Sequence, residues 1–341
     1  MIVAVDAMGG DFAPDAVVEG AVAAAKERGI EVLLVGREPE IRRSLRSQRG
    51  ESRVSVHHCE DVVEMGESPL KAVRGKKSAS IRVAFELVKA GKAQAVVSAG
   101  NSGATLAAGL LTLGKLEGVD RPGIATLLPS PSGPVVLIDA GANVDCRPSH
   151  LLQFGLMAHA FSATCFGVRR PRTALLNIGE EVSKGNEQVR AAWDLFRRSP
   201  LHFIGNVEGR DILSGAADVI VCDGFVGNVV LKLIEGLSDQ MEALMRAELR
   251  RSAAGRLLLL AGGRALARAR RVLDYAEYGG APLLGIQGVG MVCHGGSPPR
   301  AIKNAVILAA RYAENRVLDK MAEQLMSVSS LNNGDEKQLV S

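Results

Sequence analysis

The stretch Val219-Ile220-Val221-Cys222-Asp223-Gly224-Phe225-Val226-Gly227-Asn228, running on into Val229-Val230-Leu231-Lys232, decides how this chain reads. Its first residues, mostly β-branched and all apolar, predict a short strand buried on both faces. An acid and a glycine end the strand, and the chain turns directly into a helix whose start the sequence places at Asn228. A strand, a glycine turn and a helix N-terminus bring unpaired backbone N–H groups and the positive end of the helix to one point. Such a point suits an anion, and phosphate in particular.

Outward from this stretch the same rhythm recurs. Strands are predicted at Ile2–Asp6, Glu31–Val35, Arg53–Val56, Ala95–Ser98, Gly123–Leu128, Val135–Asp139, Thr173–Ile178, Leu201–Ile204, Val219–Cys222 and Val289–Cys293. Helical patterns fall between most of them, at Asp15–Arg28, Ser78–Ala90, Gly103–Gly114, Ser149–Ala163, Glu187–Arg198 and Pro299–Asp319. This alternation predicts a three-layer α/β/α fold with a doubly wound, mostly parallel sheet. Residues 1–326 read as one large α/β domain, in one or two lobes. A helical hairpin over 228–276 protrudes from it, and a polar tail follows at 327–341.

Five predicted strand ends carry glycine or acidic turns: Asp6-Ala7-Met8-Gly9-Gly10-Asp11, Ser98-Ala99-Gly100-Asn101-Ser102-Gly103, Asp139-Ala140-Gly141-Ala142-Asn143, Asn177-Ile178-Gly179-Glu180-Glu181 and the Asp223–Asn228 turn. Any one of them is ordinary chemistry for a turn between strand and helix. Ligands of such sheets collect at the carboxyl ends of the strands, so the five together read as a phosphate-holding set. Its candidate residues are Asp6, Gly9, Gly10, Asn101, Ser102, Gly103, Asn143, Asp223 and Gly224. Gly75-Lys76-Lys77-Ser78 lacks the upstream glycine of a nucleotide-binding P-loop. Gly285-Ile286-Gln287-Gly288-Val289-Gly290 precedes a strand instead of following one, against a dinucleotide fingerprint.

Composition narrows the classes. The chain has 341 residues, 47% apolar and 23% charged, with a net charge of +4. That charge is too mild, and aromatics at 4% are too few, to argue for nucleic acid. Five scattered cysteines form no C-x-x-C pair and fit no zinc pattern, which points to reduced thiols in the cytoplasm. No leader-like segment precedes the first strand, and no apolar run is long enough to span a bilayer.

The motifs DAMGGDFAP (6–14), SAGNSGA (98–104), IDAGANVDC (138–146), NIGEEVSKGN (177–186), GNVEGRDI (205–212), CDGFVGNVVLK (222–232) and LGIQGVGMVCHGGS (284–297), with Ala301–Asn304, together resemble the bacterial phosphate acyltransferases of phospholipid synthesis, the PlsX family. They span residues 1 to about 320 in the family's order. The resemblance implies a fold like that of isocitrate and isopropylmalate dehydrogenases and of phosphotransacetylases. It implies a homodimer that converts acyl carrier protein thioester and inorganic phosphate into acyl phosphate. A membrane acyltransferase that acylates glycerol 3-phosphate would take up the product.

Acyl transfer to phosphate needs a held phosphate, a stabilised oxyanion and a thiolate leaving group. Phosphate is itself the nucleophile, so the lack of an evident Ser-His-Asp set is no obstacle. No cofactor or metal is expected. Lys184, two acids beyond a predicted strand and at the start of a helix, is expected to serve the anion; the macrodipole does not favour a lysine there for stability. Asn228 and His294 complete the expected catalytic set, although His294 could equally be a satisfied loop histidine. Cys222 reads as a small buried residue instead of a nucleophile, with no base beside it in sequence. Glu180 and Glu181 read as a solvated loop.

Two basic surfaces stand out. Lys71, Arg74, Lys76 and Lys77 crowd one short stretch that would dock an acidic carrier protein. From Arg246 to Arg271 eight arginines face one acid, Glu248, around Leu257-Leu258-Leu259-Leu260. Leu257 to Leu260 with Arg264 would rest on an anionic membrane surface without crossing it, giving a cytoplasmic, peripherally bound protein. The alternative places these leucines in a dimer seam or core cap. The rival functions on the same residues are a phosphotransacetylase-like enzyme using acyl-CoA, a scaffold with a decayed site, and an NAD-dependent dehydrogenase.

Overall fold

The computed structural model describes residues 1–48, 52–251 and 277–326. Leu257–Leu260, Arg264 and the tail therefore lie outside the described residues. The strands are β1 Ile2–Asp6, β2 Glu31–Gly36, β3 Val54–His58, β4 Ala95–Ser98, β5 Gly123–Leu128, β6 Val135–Ile138, β7 Arg172–Leu176, β8 His202–Val207, β9 Val219–Val221, β10 Ala281–Leu284 and β11 Val289–Val292. The helices are α1 Asp15–Arg28, α2 Glu38–Ser47, α3 Pro69–Gly75, α4 Ser80–Lys89, α5 Ser102–Thr112, α6 Pro148–Phe166, α7 Glu187–Arg198, α8 Gly224–Arg251 and α9 Pro299–Glu314.

One sheet runs through the molecule in the order β3-β2-β1-β4-β11-β10-β5-β6-β9-β7-β8. Seven of its pairings are parallel (β1 with β2 and β4, β2 with β3, β4 with β11, β9 with β6 and β7, β7 with β8), which makes it mostly parallel as expected. The three antiparallel pairings all fall at its centre, β11–β10, β10–β5 and β5–β6. Strands β6 to β10 consequently run opposite to β1–β5 and β11. The sequence does not single out β10, four residues that include Pro282.

Alternate side chains of each strand enter different cores. Val3 and Val5, Val136 and Ile138, and Val219 and Val221 belong to one continuous core that also takes in α1, α6, α7 and α9. On the other face the packing is split. Ala4, Val96 and Leu283 pack with α4 and α5 under the first half. Leu137, Ala174 and Ile220 pack with Val226, Val230 and Ile234 of α8 under the second. The sheet thus has helices on both faces, which confirms the three layers. On the split face the centre of the sheet opens between α5 and α8.

This arrangement corrects one expectation. The five glycine turns are all at strand carboxyl ends, but those ends do not share one edge. The turns after β1 and β4 lie at one edge, with the loop after β11. Those after β6, β7 and β9 belong to strands of the opposite direction. The two groups meet only across the central strands.

Candidate active site

A cleft of about 280 Å³ crosses the sheet where the two groups meet. Ile124 and Thr126 of β5 and Ala281 of β10 line its centre. Ser102, the first residue of α5, and His294, after β11, line it from the first group. Ala140 and Gly141, after β6, and Asn228 on α8 line it from the second. Both kinds of strand end thus contribute backbone to one space.

Asp6 organises the first group. Its carboxylate accepts from the Ser98 hydroxyl at 2.7 Å and the Met8 amide at 3.3 Å. The Ser98 hydroxyl also accepts from the Gly100 amide at 3.1 Å. Burial pushes the Asp6 carboxyl above its ordinary range, against the pull of these hydrogen bonds. A Cβ on Gly9 would stand 2.7 Å from both the Asp6 carboxylate and the Gly100 nitrogen, so glycine is what lets the first two turns stack. The Asp11 amide, donating to the Gly295 carbonyl at 2.9 Å, ties in the loop of His294.

Asp139 does the same for the second group. Its carboxylate accepts from the amides of Ile124, Gly141, Ala142 and Asn143 and from the Asn143 side chain, at 2.6 to 3.2 Å. Burial raises its pKa, and these donors oppose the rise. Asp223 caps α8, accepting from the Val226 amide at 2.9 Å. The Gly224 amide donates to the Asn143 carbonyl at 2.7 Å, and a side chain on Gly227 would collide with the Asp139 carbonyl.

Several predicted roles change in this light. Asn101 caps α5, accepting from the Ala104 amide at 3.0 Å, while its amide group donates to the Met65 and Glu67 carbonyls at 2.9 and 3.3 Å. The Asn143 amide group donates to Pro122 and Asp139 at 2.8 and 2.9 Å. Both side chains, like the Asp6 and Asp223 carboxylates, shape the loops that hold the site. Helix α8 begins at Gly224 because Asp223 already supplies the cap, so Asn228 sits in its second turn, not at its start as expected. Its side chain lies 3.4 Å from where a Cβ on Gly141 would be.

The structure places His294 in the cleft but not Lys184. The Gly296 amide donates to His294 Nδ1 at 3.1 Å, which leaves the ring proton of a neutral imidazole on Nε2. Lys184 is exposed on the loop after β7, shortly before the α7 cap Asn186. Cys222 is buried, and burial pushes its thiol well above the ordinary range, in keeping with the small buried residue expected. Lys71, Arg74 and Lys77 are exposed on and just beyond α3. Lys76 instead holds its own loop, donating to Glu67 at 2.6 Å and to the Val62 carbonyl at 2.8 Å. Sequence reasoning passed over Lys232 and Glu235, which follow Asn228 along the cleft face of α8. Their spacing from Asn228, four and seven residues, is the helical signal that marks them.

The family model for "Fatty acid synthesis protein" matches residues 1–320. A phosphate acyltransferase of Geobacter sp. (strain M21) is 52% identical over 326 residues, covering 95% of this chain and 93% of the relative. One from Nitratidesulfovibrio vulgaris (strain DP4) is 49% identical over 332 residues, covering 97% and 96%. The chain belongs to the PlsX-type phosphate acyltransferases. Among solved structures, a phosphotransacetylase from Streptococcus pyogenes superposes on this acyltransferase with a TM-score of 0.61 at 19% identity, covering 92% of this chain and 94% of that one. A putative 4-hydroxythreonine-4-phosphate dehydrogenase from Salmonella typhimurium gives 0.52 at 14%, covering 91% and 98%. At such identities the likeness is one of fold, and it is the dehydrogenase-like fold expected. Among the described residues of the acyltransferase, no helix is long and apolar enough to cross a membrane.

Proposed function

We propose that this acyltransferase moves a long acyl chain from acyl carrier protein to inorganic phosphate, supplying acyl phosphate for phosphatidic acid synthesis. The observation that carries the reading is the meeting of both glycine-turn groups in one cleft, with His294 from the first group and Asn228 from the second among its lining residues. A phosphate oxygen attacks the thioester carbonyl carbon, the C–S bond breaks, and the carrier leaves as thiolate to take up a proton. Amide N–H groups of the turns and the Asn228 side chain are donors of the kind that stabilise the oxyanion. A cleft of about 280 Å³ takes the phosphate and the reacting carbonyl, while the body of a carrier protein stays outside. Lys71, Arg74 and Lys77 support docking beside it: their segment adjoins the 65–67 loop that Asn101, next to the cleft residue Ser102, holds in place.

The test is to trap acyl phosphate with hydroxylamine, offering the same acyl group on carrier protein or on coenzyme A. Phosphate-dependent hydroxamate from the carrier thioester is expected. Hydroxamate from the coenzyme A thioester alone would support a phosphotransacetylase-like activity. No product from either would refute both.

The proposal extends to assembly. An exposed apolar stripe runs along α8 through Phe225, Val229, Leu233, Leu237, Met241 and Leu244. A second copy of the chain is its proposed cover, as the homodimer implies. Leu257–Leu260 and the arginines around them are proposed, from sequence, to rest on an anionic membrane surface.

A further inference from the structure

Inorganic phosphate at neutral pH carries between one and two negative charges, and a cleft that holds it must balance them. Among the described residues lining the cleft one is a lysine and none is an arginine; the lysine is Lys232. It follows Asn228 by one turn of α8, and with Leu231 and Glu235 forms the side of the helix that faces the cleft. Its ammonium group makes no ion pair or hydrogen bond with any other described residue. Lys76, by contrast, is engaged by Glu67, and Lys184 stands on an exposed loop outside the cleft lining.

We infer that Lys232 is the cation that binds the attacking phosphate, next to Asn228. This rests on the phosphate-transfer reading and adds the residue that holds the nucleophile. A lysine suits the task as a mobile point charge that can follow phosphate into the carbonyl. Repulsion from Glu235, three residues further along the same side, keeps the anion on the Asn228 side of Lys232. The charge acts on phosphate before and during attack, so its loss falls on the phosphate kinetics and leaves recognition of the acyl thioester in place.

The experiment compares wild type with K232A, K232Q, K232R and K184A, varying phosphate at saturating acyl carrier protein thioester and then the reverse. K232A and K232Q should lose roughly 10²-fold or more in kcat/KM for phosphate, the size expected for one strong electrostatic donor. The KM for thioester and the melting temperature should change little. K232R should recover part of the loss. Inorganic phosphate should raise the melting temperature of wild type but not of K232Q. The inference is overturned if wild type turns over and K232Q keeps its kcat/KM for phosphate. It is equally overturned if K184A alone loses it, or if the loss in K232Q falls on the thioester KM. K232Q keeps the length and packing of the stem if K232A fails to fold. A wild type without any phosphate-dependent turnover would instead bring down the underlying reading.

Discussion

Cys222 shows how a residue's surroundings decide its chemistry. It adjoins the Asp223 turn, where an acyl-enzyme nucleophile would be convenient. The chain nevertheless buries it in the core under α8, with Asp223 and Asp139 nearby, and burial first and these carboxylates second hold the thiol protonated. A protonated thiol in that place is not a nucleophile. Cys222→Ala is therefore expected to keep kcat within about twofold and to lose about 1 kcal/mol of stability as a small core truncation. Steady-state kinetics and urea denaturation of the variant check both; loss of turnover in a folded C222A would revive a covalent route. The stacked glycines act at the same scale. Gly9→Ala places a methyl group against the Gly100 nitrogen and should cost at least about tenfold in kcat/KM for phosphate, because both turns must shift. Phosphate titration of the variant's rate tests it, and unchanged kinetics would show that the stacking is only structural.

Among the elements, α8 carries three kinds of side chain in its first turns. Val226, Val230 and Ile234 pack on the sheet, Asn228, Leu231, Lys232 and Glu235 face the cleft, and Phe225, Val229 and Leu233 are exposed. Leu233 and Leu237 are 67% and 56% exposed, and Leu244 further along is 68% exposed. A stripe of this length left to water is unfavourable by about 25 cal/mol for each Å² it could have buried. If the proposed second copy covers this stripe, Leu233→Glu with Leu237→Glu should shift wild-type dimer mass to monomer mass in analytical ultracentrifugation, with the fold retained by circular dichroism. A variant that stays dimeric would move the interface elsewhere. Because the cleft shares this helix, the monomer is also expected to lose activity.

At the scale of the whole molecule, the continuous sheet holds both halves together, and the membrane proposal concerns how the whole body is positioned. Leu258→Glu with Leu259→Glu should abolish sedimentation with anionic vesicles while leaving solution activity and dimer mass intact. Wild-type binding should be reversible and weaken as salt screens the arginines. A monomeric or unfolded L258E/L259E variant would assign the leucines to the dimer seam instead. Much of the molecule is legible in the sequence alone. The apolar runs at Ile2–Asp6, Ala95–Ser98 and Val219–Val221 read as strands because both faces are buried, and the glycine turns read as anion loops because few residues fit such backbone. The motifs also suffice for the family. Strand direction does not follow from them: a local pattern records whether a segment is buried, not which way its neighbour runs. Only the tertiary structure turns β6–β10 against the rest, brings two sets of turns to one cleft, and leaves Lys184 outside it while Lys232 lies within. The reason is that a side chain's distance from a site depends on long-range pairing and helix orientation. Those are fixed when the two halves pack on one sheet, and no short stretch of residues carries them.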